Sequence, residues 1–152
     1  MALTAFNQTL DTAPLYLAVQ QFYARHMQLL DEGDPDQWAA TFTEDGSFHA
    51  PGLPQPVRGR AVLAQAVRDT RAKLAEQGEL RRHWHGMVKV APAADGSLDV
   101  RCYAIVIQVA ADGTPRLHRH CVCQDNLVPS VDSPDGWLVR SRQVTLDPLP
   151  AA

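Results

Sequence analysis

A chain of 152 residues, 45% hydrophobic and 20% charged, is long enough to bury a core without disulfides or a structural metal, and its composition is wrong for a disordered segment. The formal net charge is −3 and the only dense cationic spot is Arg81-Arg82, which excludes a protein that binds nucleic acid by neutralising many phosphates. Three cysteines, Cys102, Cys121 and Cys123, lack Cys-x-x-Cys spacing, so they imply neither a disulfide framework nor a cysteine zinc site and fit a reducing cytoplasm.

Residues 1–11 read as a loose arm with no basic segment leading into an apolar run, the pattern of a protein neither exported nor inserted in a membrane. Asp11 or Thr12 then caps a first helix, with Pro14 in its first turn, running to about Leu30. Leu15, Ala18, Val19, Phe22, Leu29 and Leu30 form its apolar stripe, and His26 falls on that stripe, where a buried imidazole needs a polar partner. Gly33 ends the helix and Asp34-Pro35 opens a short second one carrying Trp38 and Phe42 at packing spacing.

Glu44-Asp45-Gly46 reads as a turn before a strand at residues 47–50, which places His49 on the face opposite Phe48, and the proline-rich segment Pro51 to Pro56 reads as a loop. A third helix spans about Gly59 to Gln77, apolar along Val62, Leu63, Ala66, Val67 and Leu74. From there the period changes to two. Leu80 to Ala91, Leu98 to Ala110, Arg116 to Val128 and Trp137 to Leu146 are strands joined by Asp-Gly turns, the pattern of an antiparallel meander. Helices first and sheet second, without a repeat or linker, predict a single α+β domain over residues 1–152: a curved half-barrel packed on three N-terminal helices around a cone-shaped cavity.

Alternation puts His83, His85 and Met87 on one face of the strand from Leu80. In the Arg116 strand, His118, His120, Val122 and Gln124 share one face, and Arg119, Cys121, Cys123 and Asp125 the other. The pattern leaves open which set faces inward. Imidazoles titrate near neutrality, so such pairs on a cavity wall suit acid–base chemistry or metal binding.

The order of Leu30-Asp31-Glu32-Gly33-Asp34, the short helix with Trp38, Phe42-Thr43-Glu44-Asp45-Gly46-Ser47-Phe48, Arg82-His83 opening a strand, and Asp135-Gly136-Trp137 leading to Arg142 resembles the nuclear transport factor 2-like superfold. Within it, the chain is similar to the SnoaL-like polyketide cyclases and their dehydratase relatives. The resemblance covers about Leu15 to Asp147 and implies a cofactor-independent cyclase, dehydratase or isomerase acting on a polyketide or similar carbonyl-bearing aromatic metabolite. It implies His83 as base and Asp31 as its orienter, with His26 standing where relatives carry a carbonyl-binding tyrosine and Tyr103 or Tyr23 as substitutes. His85, Tyr103, His49, Met87, Trp38, His120 and Arg142 are the candidate substrate contacts. The expected partners are a small-molecule substrate and a second copy in a homodimer, with no nucleic acid, membrane, cofactor or metal. Two other readings compete. One is a non-catalytic subunit like the small subunit of ring-hydroxylating dioxygenases; the other is a zinc hydrolase or lyase using His83, His85 and His118 or His120, although strands one apart start about 10 Å from each other.

Overall fold

The computed structural model describes the backbone of residues 2–146 and the side chains from Thr12 to Leu146. Helix α1 (Ala2–Glu32) is continuous through Pro14 and absorbs the segment expected to be a loose arm. No glycine or proline occurs between Ala2 and Ala13, so nothing there breaks a helix. Gly33 stops it because a Cβ at that position would lie 2.7 Å from the Leu29 side chain and 2.8 Å from the Leu29 backbone. Arg71, from helix α3 (Arg60–Glu76), donates to the carbonyls of Leu29, Leu30 and Gly33, satisfying the end that Asp31 occupies.

Asp34 caps helix α2 (Pro35–Ala39), its carboxylate accepting the amides of Asp36 and Gln37. Strand β1 (Phe42–His49) then runs through Glu44–Gly46, which is a bulge against its neighbour rather than the expected turn. The following loop also contains a short strand, β2 (Val57–Arg58), that the proline-rich sequence concealed. Strands β3 (Leu80–Pro92), β4 (Leu98–Val109), β5 (Pro115–Pro129) and β6 (Trp137–Leu146) follow as the antiparallel meander.

The six-stranded sheet has the order β2-β1-β6-β5-β4-β3, with β1 parallel to β6. Register shifts interrupt the ladders at Gly86/Lys89, Val106/Ile107 and Asn126/Leu127, and each bends the sheet more sharply than twist alone. The result is an α+β half-barrel. Its concave face packs on the helices through one core that joins Val19, Phe22 and Trp38 to Leu98, Val100, Cys102 and Leu127. Burying each large apolar side chain stabilises the fold by about 1.5–3 kcal/mol. Among the described residues no helix is long and apolar enough to cross a membrane.

Candidate active site

A cavity of about 560 Å³ lies between the helices and the concave sheet. Its walls are mostly apolar, from Met27, Leu30, Phe48, Leu63, Val67 and Leu74, while Asp31, His83, His85 and Arg142 supply polar groups. Asp31 sits at the capped end of α1, and His83 lies near the start of β3 directly across from it. Asp31 Oδ2 accepts the His83 backbone amide at 2.9 Å, and Oδ1 lies 2.5 Å from the ring Nδ1. A carboxylate accepts at both oxygens, so in the neutral ring this geometry places the hydrogen on Nδ1 and the lone pair on Nε2. The Asp31 side chain is only 7% exposed and that of His83 24%, so the pair is sheltered yet open to the cavity.

His85 follows on the same face and also lines the cavity. Its Nδ1 lies 3.4 Å from Cys102 Sγ, and its ring packs edge-on against Tyr23. Burial, reinforced by the Arg142 charge, pushes its pKa down to about 3, so His85 is neutral at physiological pH. Hydrogen bonding to Cys123 and burial hold the Cys102 thiol protonated. The tautomer in which His85 Nδ1 accepts from Cys102 Sγ carries its hydrogen on Nε2, which is then the ring's donor.

Behind these residues runs a buried chain of hydrogen bonds. Arg142 donates to both oxygens of Asp125, at 2.8 and 2.6 Å, and Tyr23 donates to the same carboxylate at 2.8 Å. Arg142 also meets His26 Nε2 at 2.9 Å, and His26 Nδ1 lies 2.6 Å from Thr41 Oγ1. The Thr41 hydroxyl gives its hydrogen to the Trp38 carbonyl, so His26 must donate from Nδ1 and accept from Arg142 at Nε2. Burial first and Arg142 second hold the His26 pKa well below its ordinary value, consistent with this neutral tautomer. Burial opposes the Arg142 charge, and the Asp125 carboxylate more than offsets it.

The structure thus brings Asp31, His83, His85, Trp38 and Arg142 to one cavity, and places five of the expected site residues elsewhere. His26 is fully buried between Phe22 and Trp38 and does not reach the cavity wall. Tyr103 and His120 pack on each other on the outer sheet face, because β4 turns Cys102, Ala104 and Val106 inward and β5 turns Cys121, Cys123 and Asp125 inward. Met87 is 79% exposed at φ 50°; the extra residue of the bulge flips its side chain away from the face of His83 and His85. His49 bonds to Gln143 and to the Leu53 carbonyl beside the cavity instead of lining it. His120 lies outside, and His118, although on the cavity wall, does not converge with His83 and His85: among the described residues no three His, Cys, Asp or Glu side chains come together to hold a metal.

Other residues were missed. Arg81, Arg119 and His118 line the cavity, and Asp125 organises the network behind it. Alternation alone places Arg81 on the His83 face and Asp125 with Cys121 and Cys123, so both carried a signal. The β5 bulge that brings His118 and Arg119 together on one wall left none.

A family model described as a SnoaL-like domain matches residues 11–143. ActVI-ORFA from Streptomyces coelicolor is 38% identical, covering 89% of this chain and 98% of its own, with a TM-score of 0.79. A Catenulispora acidiphila protein solved in complex with S-DNPA is 32% identical, covering 87% of this chain and 92% of its own, with a TM-score of 0.75. An NTF2-like protein with a cystatin-like fold from Novosphingobium aromaticivorans shares 25% identity over 95% of this chain and 87% of its own, with a TM-score of 0.71. A search among curated proteins returns no match.

Proposed function

The chain belongs to the SnoaL-like domain family, and we propose that it catalyses acid–base chemistry on a carbonyl-bearing aromatic polyketide, by cyclisation, dehydration or isomerisation, using only its own side chains. One observation carries this reading: the double contact of Asp31 with His83 leaves the His83 Nε2 lone pair as a base in an apolar cavity. Nε2 removes a proton from the carbon next to the substrate carbonyl, and the Asp31 carboxylate stabilises the imidazolium that forms. The neutral His85 donates its Nε2–H to the developing enolate oxygen, a role that a low-dielectric wall strengthens. In a dehydration, His83 returns the proton to the departing β-hydroxyl. Water leaves and a conjugated enone remains.

The complex of the Catenulispora relative with S-DNPA supports a cavity that takes a small-molecule ligand. Exposed Trp84, Tyr103, Ile105 and Leu117 on the outer sheet face support a homodimer built on that face. The chemistry is tested with 4-hydroxy-4-(2-naphthyl)butan-2-one in D2O. The wild-type chain is expected to speed deuterium exchange next to the ketone and formation of the enone absorbance. An unchanged His83→Ala variant would overturn the assignment.

A further inference from the structure

The cavity is electrically lopsided. Arg81 stands two residues before His83 on the same face of β3 and lines the same wall. Arg119 reaches that wall from β5: its backbone pairs with Val106, which pairs with His83 on the other side. The carboxylate on this wall, Glu79, is already bonded through one oxygen by Gln108 and through the other by Arg116. On this wall Arg81 and Arg119 therefore stand beside a single carboxylate whose two oxygens are both taken.

No described carboxylate lies within ion-pair reach of Arg81 or Arg119. The Arg81 Nε–H is also buried without a partner, an arrangement that folded proteins rarely leave unmet. Burial and then the Arg119 charge lower the Arg81 pKa, and burial followed by both arginine charges lowers that of His118 beside them. Unpaired planar guanidiniums on a cavity wall, one with an unmet buried donor, match the geometry of a carboxylate.

We infer that Arg81 and Arg119 form a subsite for a substrate carboxylate, so that the cavity takes an aromatic acid in preference to its neutral analogue. This rests on the acid–base reading above and adds the class of substrate to it. Alternate residues on a strand lie about 7 Å apart. A carboxylate held at Arg81 thus puts carbons a few bonds inward beside the His83 imidazole, which orders the reacting carbon without any contact at the carbonyl itself.

The test is calorimetric titration with 2-naphthylacetate and its neutral counterpart 2-naphthylacetamide. The acid is expected to bind wild-type chain about tenfold more tightly than the amide. The Arg81→Gln/Arg119→Gln variant is expected to lose that preference, and Arg81→Lys/Arg119→Lys to recover part of it. Raising the salt should narrow the preference in the wild type. Equal affinities for acid and amide in the wild type, or a preference that survives the double glutamine variant, overturn the subsite and leave the base assignment standing. Binding of neither probe overturns both. The wild-type comparison decides the matter even where a variant folds poorly.

Discussion

Asp31 holds His83 at two points, the ring nitrogen and the backbone amide of the same residue, across a sequence separation of 52 residues. The contact fixes both the position of the strand and the rotation of the ring. His83→Ala should therefore lower turnover of the naphthyl β-hydroxyketone about 10²–10⁴-fold, the usual span of a general base. Asp31→Asn presents an amide N–H where an acceptor was, so one of the two bonds becomes a clash of donors. Its turnover should fall too, but less than that of His83→Ala. Steady-state kinetics on both variants checks the order.

The buried Arg142–Asp125 pair makes a prediction about stability. Asp125→Leu leaves the Arg142 charge uncompensated and strips Tyr23 of its acceptor, a loss of about 3–5 kcal/mol. The double change Asp125→Leu/Arg142→Met removes the orphaned charge and should be less damaging than the single one. Urea unfolding of the two proteins compares them directly, and equal losses would mean that the charge is not what the single variant exposes.

Acid should destabilise the protein through its buried histidines. His26 and His85 stay neutral in the folded chain, His85 down to about 3, whereas in the unfolded chain both protonate below their ordinary 6.5. Across that window the unfolded state binds more protons, so stability is full above 6.5 and falls as the pH drops towards 3. His85 contributes about 2 kcal/mol of loss between pH 7 and pH 5, and His26 adds to the loss in the same direction. Urea unfolding at the two pH values measures it, and His85→Gln should remove about 2 kcal/mol of the drop.

Met87 holds a left-handed backbone angle at an exposed bulge. Asparagine tolerates that region better than other non-glycine residues, so Met87→Asn should stabilise the chain, by about 0.5–1 kcal/mol. Turnover should not change, since the side chain points away from the cavity. A thermal melt beside a rate assay tests both halves.

Much of this protein was legible from residue order. The helical stripe with His26 announced a buried imidazole in need of partners, Asp34-Pro35 announced a capped helix, and the Asp-Gly turns announced the meander, because caps, turns and periodicities are local and each residue reports its own. The pairing of Asp31 with His83 came from resemblance, since no local pattern links the end of a helix to a strand 52 residues on. What only the tertiary structure decided was which face looks inward and where that face changes. Strand alternation is relative: it ties His83 to Met87 only until a bulge adds a residue, and a bulge leaves no mark in the residues themselves. So Met87, Tyr103 and His120 went to the outside, while Arg81, Arg119 and Asp125 turned inward with their strands. His26 shows the same limit from the helix side. Its stripe fixed that it would be buried, but core and cavity are both interior, and only the packing of Phe22, Trp38 and Phe42 around the ring separated one from the other.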